Sequence, residues 1–168
     1  MSTSDYEDVS VFVLSNEREA LLLRAQTECT FIWRTRDGDP VGVIMNYLWH
    51  EDRFWLTATR RRKRITAIER DPRVAIAISS RGTGIGISQS VTYKGTASLH
   101  DDSSTKEWFY PALAATVRPD SASQQQAFAA HLDSPGRVVI AVTPSARIGF
   151  DAEAMFTGSA AGPSRTLL

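Results

Sequence analysis

The sequence predicts a mainly β domain, an antiparallel barrel with peripheral helices. Three observations carry this. Six or seven short β-rich runs follow one another along the chain, separated by turn residues. Few helical stretches intervene, which disfavours the alternating units of a doubly wound parallel sheet. The 168 residues are 42% hydrophobic, enough for one domain with a real core.

The elements follow in order. Residues 1–14 read as an N-terminal tail ending in a short apolar strand, Val9 to Leu14. Ser15 offers a helix N-cap, Glu17 and Glu19 fall in the first turn, and Ala20 to Ala25 carry the helix to about Thr27. Cys29 to Arg34 is a strand, and Arg36-Asp37-Gly38-Asp39 is turn material before Pro40. Val41 to Trp49 and Arg53 to Thr59 flank His50-Glu51-Asp52, so 41–59 reads as one β-hairpin. Ile65 and Ile68, three apart, mark a short helix that Pro72 stops.

Val74 to Ile78 is an apolar strand, and Arg81 to Ser88 is a glycine-rich loop. Ser90 to Leu99 is a further strand, in which Gly95 signals a bulge or a close approach by another backbone. Asp101 to Ser104 caps a helical stretch containing Trp108, Phe109, Tyr110 and Pro111; Pro119 interrupts it and Ala127 to Leu132 resumes it. Arg137 to Thr143 is strongly β, and Arg147 to Asp151 extends or pairs with it. The expected organisation is a barrel domain over 15–155 and a flexible tail over 156–168.

Composition narrows the function. Nineteen basic residues balance nineteen acidic ones, so no global charge draws the protein to nucleic acid or to an anionic membrane. A single cysteine, Cys29, excludes an internal disulfide, and three scattered histidines suggest no metal site. With no signal-like start and no membrane-length apolar run, the expected location is the cytoplasm.

The chemistry concentrates in Leu56-Thr57-Ala58-Thr59-Arg60-Arg61-Arg62-Lys63 and the short helix after it. A strand delivers two threonines to its end, and a basic turn then opens a helix. Unpaired N–H groups with Arg and Lys heads form an anion site suited to a phosphate dianion. A solvated basic turn, or a nucleic-acid patch, is the competing reading of such a run. The zero net charge and the lack of an aromatic platform beside Arg60–Arg64 disfavour nucleic acid.

Thr57-Ala58-Thr59 through Lys63, then Asp71-Pro72-Arg73-Val74, resembles the signature of the pyridoxamine-phosphate-oxidase-like superfamily of flavin- and deazaflavin-dependent oxidoreductases. Ser90 to Ala97 and Pro144 to Asp151 are similar to two later landmarks of the same group. The resemblance spans about residues 25–155. It implies an FMN-binding-like antiparallel split β-barrel and a homodimer acting on a small organic molecule. FMN, or alternatively coenzyme F420, would be the cofactor. It implies that Arg62 and Lys63 hold the cofactor phosphate and that Thr57, Ala58 and Thr59 line its ribityl arm and ring. Val43, Ile44, Met45 and Asn46 would lie along the ring, with Gln89 and Ser90 approaching from a later strand of this or a partner subunit. A carrier or sensor holding flavin or haem without turnover is the alternative it leaves open.

True pyridoxamine-phosphate oxidases carry basic residues where this chain has Val41 and Asn46, and their Arg- and His-bearing C-terminal segment is missing. Vitamin-B6 oxidation is therefore not expected. The remaining candidates read as structural. Trp49 and Trp55 are expected in cross-strand packing, Trp108-Phe109-Tyr110 in a helix against the barrel, and Cys29 in the core. Tyr47 and Tyr93 have no activating partner in view, and His50 and His100 fall in loop-like positions. No residue stands out as catalytic.

Overall fold

The structure is a computed structural model and describes residues 9–86 and 88–157. A seven-stranded antiparallel sheet dominates it, in the order β2-β1-β5-β6-β7-β4-β3. The strands are β1 Glu28–Arg34, β2 Pro40–Asn46, β3 Leu48–His50, β4 Arg53–Thr59, β5 Arg73–Ser79, β6 Gln89–His100 and β7 Arg137–Asp151. The helices are α1 Asn16–Ala25, α2 Lys63–Arg70, α3 Ser103–Val117, α4 Ala122–Leu132 and α5 Ala152–Thr157.

Two strands adjacent in the chain stand at opposite edges of this sheet. Asn46 ends β2 at one edge and Leu48 opens β3 at the other. Residues two apart are separated by at most about 7 Å. The sheet must therefore curl until its edges meet, which is a split barrel. Tyr47 is the pivot. Its hydroxyl donates to Leu23 O at 3.0 Å and its N–H to Thr27 O at 3.1 Å. Those bonds to the end of α1 and the segment after it interrupt the ladder in mid-run. Burial pushes the Tyr47 hydroxyl well above the ordinary tyrosine range, with the nearby Cys29 adding to the rise.

This corrects the expected hairpin over 41–59. β2 instead pairs with β1, from Glu28↔Asn46 to Arg34↔Pro40. Only β3 forms a hairpin with β4, with Leu48↔Trp55 and His50↔Arg53. Its two-residue turn, Glu51 and Asp52, has positive φ at both positions, as a tight hairpin requires. A second correction concerns the start of the chain. Val9–Val11 forms one turn of 3-10 helix rather than a strand. Helix α5 also runs to Thr157, past the expected domain end at 155; the tail segments 1–8 and 158–168 lie outside the described residues.

Alternation sorts each strand between two faces. Phe31, Phe54, Leu56, Ile76, Val91, Val138 and Ile140 fill the barrel interior, with Cys29 among them. Burial pushes the Cys29 thiol up to about 12, with Glu28 a smaller contribution. The opposite face of β4 and β7, through Trp55, Val139 and Ala141, is covered by Phe109, Tyr110, Leu113 and Leu132 of α3 and α4. The Trp108-Phe109-Tyr110 run thus packs on the barrel as expected. Asp102 caps α3 by accepting from Thr105 N at 2.8 Å, and its hydrogen bonds hold its carboxyl well below the usual carboxylate range.

The far end of the β6–β7 pair is fastened by Arg18 of α1. Its guanidinium lies 3.0 Å from the buried carboxylate of Asp151 and also contacts Glu153. Asp151 Oδ1 accepts further from Glu153 N and Ala154 N, at 3.0 and 3.2 Å. Removing Arg18 would leave Asp151 buried but still partly satisfied, a moderate loss. Arg18→Met is expected to cost about 2 kcal/mol in urea unfolding; an unchanged midpoint would show that α1 is fastened by apolar packing alone.

Candidate functional site

The β4 strand ends where the basic turn begins. Leu56 and Ala58 point into the core. Thr57 and Thr59 therefore point the other way, to the face that carries Trp55. Thr57 Oγ1 donates to Val138 O at 2.9 Å. The β4–β7 register runs Thr57↔Val139 to Thr59↔Arg137, and Arg60 N donates to Gly136 O at 2.8 Å. Arg60 and Gly136 are thus a hydrogen-bonded pair. Thr59 and Arg137 are then a non-hydrogen-bonded pair, whose side chains lie closest, with Cα atoms about 4.5 Å apart.

The five consecutive cations of the turn have different fates. Arg60 pairs with Asp101 and reaches Glu69 at 3.9 Å. Arg64 lies over the Trp33 ring, 5.9 Å from its centroid. Burial first, and Arg62 second, push its pKa down. Arg61, Arg62 and Lys63 are exposed and make no ion pair among the described residues. Arg62 is also the N-cap of α2, extended at φ −77 and ψ 134, with no side-chain cap. Its own N–H goes to Thr59 O, and Ile65 N–H returns to Arg62 O. That leaves the N–H groups of Lys63 and Arg64 without an intrahelical acceptor. Three free cations and two open N–H groups share one helix start, a donor set with the chemistry of an anion site.

The other candidates divide. On β2, Val43 and the buried Met45 turn toward the core, Ile44 is 64% exposed, and Asn46 Nδ2 donates to Thr27 O at 3.3 Å. Only Tyr47 separates Asn46 from β3, which pairs with β4, so the ends of β2 and β4 lie on the same side of the split. Ala58 offers the site its backbone alone, its side chain being core.

Gln89 and Ser90 are not brought to this cluster by their own chain. They open β6, whose other end, His100, pairs with Val139 beside Thr57. The separation is on the order of 30 Å along the strand. Gln89 is buried and engaged: with its amide turned to suit its neighbours, its oxygen accepts from Arg18 at 2.8 and 3.1 Å. That engagement was invisible in the sequence because Arg18 lies on another element, far away in the chain.

The remaining aromatic and histidine candidates are engaged in packing or hydrogen bonds. Trp49 packs on Phe54 with ring centroids 4.5 Å apart. Trp55 donates to His50 O at 3.1 Å and meets Trp108 edge-on at 4.9 Å. Tyr93 donates to Glu19, and burial pushes its hydroxyl up to about 12. His50 lies against Trp108, and His100 against Trp55. Among the described residues, no His, Cys, Asp and Glu cluster could hold a metal ion, and no helix is long and apolar enough to cross a membrane. An open cleft of about 400 Å³ lies at the opposite end of α2, lined by Arg34, Arg36, Arg70 and Arg73. Arg73 is already paired there with Asp71.

One residue that the sequence reading passed over stands inside the cluster. Arg137 opens β7 beside Thr59, and only the strand register reveals that proximity.

Comparison with known proteins fits this geometry. No curated protein matches the sequence. Solved structures match throughout the fold. A conserved hypothetical protein from Mycobacterium tuberculosis superposes with a TM-score of 0.77 at 16% identity, covering 93% of each chain. An F420 reductase gives 0.60 at 21% identity, over 80% of this chain and 98% of the other. A haem storage protein from Vibrio cholerae gives 0.59 at 11% identity, over 80% and 94%. At these identities the likeness is one of fold. The sequence itself matches the pyridoxamine 5'-phosphate oxidase family model over residues 19–148, a span that holds β1 to β6 and the whole basic turn, and the chain belongs to that family.

Proposed function

We propose that the protein is an oxidoreductase that binds FMN, or alternatively the deazaflavin coenzyme F420, with the cofactor phosphate at the start of α2. The observation that carries this reading is the set of unpaired cations Arg61, Arg62 and Lys63 beside the open N–H groups of Lys63 and Arg64. A phosphate monoester supplies the charge and the acceptors that this set lacks. Arg62 and Lys63 hold the phosphate. Thr57 and Thr59, on the outward face of β4, direct the ribityl arm along the strand end. When bound, the ring system supplies hydride transfer to or from a small organic substrate. This division of labour needs no acid–base dyad from the chain, and none was found in the sequence.

The reading includes a homodimer. Gln89 and Ser90 are too far from Thr57 to serve their own chain's site, so in this reading they serve a partner's site. Ile44 and Ile148, 64% and 65% exposed on the outer sheet face, give a second copy apolar surface to cover. Family membership and the likeness to an F420 reductase support the redox assignment, while the likeness to a haem storage protein keeps a carrier role as the competing one.

The test is a side-by-side fluorescence titration of the apoprotein with FMN and with F420, followed by an assay for consumption of the reduced cofactor. Saturable binding of one cofactor, with turnover, is the expected result. Binding without turnover would favour the carrier, and binding of neither would overturn the cofactor assignment.

A further inference from the structure

Arg137 is a cation without a counter-ion in a place where that is costly. It makes no ion pair among the described residues, and its Nε is shielded from solvent with no hydrogen-bond partner. Shielding a guanidinium nitrogen without an acceptor is unfavourable. A second orphan lies on the same face of β4 and β7. Tyr110 of α3 is 3% exposed, and its hydroxyl has no hydrogen-bond partner. The neighbouring Thr57 hydroxyl donates its proton to Val138 O at 2.9 Å. Burial pushes the Tyr110 hydroxyl up, while Thr57 and Arg137 hold it down in part and Asp133 works against them. These influences place Tyr110, Thr57 and Arg137 in one neighbourhood.

Three elements converge on that point. β4 brings Thr57 and Thr59 to the outward face, β7 brings Arg137 into register with Thr59, and α3 packs Tyr110 onto the same face in the cluster of Trp55 and Val139. The free cations Arg61, Arg62 and Lys63 begin two residues after Thr59. The orphaned pair and the free cations therefore flank the same strand end from two sides.

We infer that Arg137 is a further ligand of the cofactor phosphate, closing the anion site from the β7 side, and that Tyr110 positions it. The terminal nitrogens of Arg137 turn to the phosphate, and its Nε–H then has the Tyr110 hydroxyl oxygen as acceptor. Ligand binding thereby satisfies both orphans at once. This inference rests on the proposed phosphate site, but it adds residues from β7 and α3 that the family-like motif around Arg62 and Lys63 does not contain.

The test compares ligands with and without the phosphate, and FMN and riboflavin differ in it alone. Wild type, Arg137→Gln, Arg137→Lys and Tyr110→Phe are titrated by fluorescence with FMN and riboflavin, and with F420 and its ribityl form lacking the phosphate. Thermal melting of each apoprotein is recorded in parallel. Arg137→Gln is expected to weaken the phosphorylated ligand by about tenfold or more, the scale of one charge-assisted hydrogen bond, with the phosphate-free form unchanged. Arg137→Lys should recover part of the loss. Tyr110→Phe should weaken the phosphorylated ligand by roughly threefold without lowering the melting temperature, since it removes an unsatisfied hydroxyl and keeps the ring packing.

If Arg137→Gln bound the phosphorylated ligand as wild type does, the inference would fail while the cofactor assignment stood. Equal weakening of both ligand forms, with a lower melting temperature, would also overturn it by making Arg137 structural. Wild type that bound neither FMN nor F420 would remove the cofactor assignment and this inference together.

Discussion

Gly95→Val is expected to destabilise the protein by about 3 kcal/mol or more. A Cβ at Gly95 would stand 2.6 Å from Thr143 O and 2.9 Å from Val142 Cγ1. The first of these is backbone of the neighbouring strand, so no rotamer change relieves it. The ladder is irregular at this point: Lys94 pairs with Ala146 and Gly95 with Pro144, leaving Ser145 as the extra residue of a bulge.

The bulge coincides with a change of neighbours along β7. Val139 to Val142 pair with both β4 and β6, whereas Thr143, Pro144 and Ala146 to Asp151 pair with β6 alone. The close approach at Gly95 thus falls where β7 leaves β4 and continues along β6 alone. Two glycines serve as controls. A Cβ at Gly42 meets the movable Thr30 Cγ2 at 2.9 Å, and one at Gly136 meets nothing within 4 Å. Chemical denaturation of Gly95→Val, Gly42→Ala and Gly136→Ala should therefore rank in that order, with Gly136→Ala close to wild type. A Gly95→Val midpoint equal to that of Gly136→Ala would contradict the described approach of β6 and β7.

Gly95 also illustrates what was legible in the sequence. A glycine within a β-rich run has few explanations; a bulge or a close approach was expected, and both are present. The short helix between Thr59 and Pro72 was legible for a similar reason, since Ile65 and Ile68 are buried on one side and Pro72 forbids continuation. The crossover at Tyr47 was not. Apolar alternation continues unbroken from Val41 through Tyr47, and the bonds that divert the chain come from Leu23 and Thr27 on other elements. The site was legible as a stretch of chain but not as a set of partners. Five cations look alike in the sequence; Asp101 and Trp33, both distant in the chain, decide that Arg60 and Arg64 are engaged and that Arg61, Arg62 and Lys63 are free.

That division leads to the second large effect. The double substitution Arg62→Ala with Lys63→Ala is expected to weaken FMN or F420 binding by on the order of a hundredfold or more. A charge-assisted hydrogen bond contributes about 1.5–3 kcal/mol, and two are lost from one phosphate. The fold should be unaffected, because both side chains are exposed, neither makes an ion pair among the described residues, and alanine is a good helix former at the first position of α2. The matching control is Arg60→Ala with Arg64→Ala, which removes the same charge from the same turn. Those two cations are held by Asp101, Glu69 and Trp33, so their loss should lower thermal stability modestly and reduce binding much less. Raising the salt concentration separates the cases further, since screening weakens a phosphate held by exposed cations while sparing an apolar ring contact. If both double variants lost affinity equally, net charge in the turn would be the determinant, and the assignment of Arg62 and Lys63 as the phosphate ligands would fall.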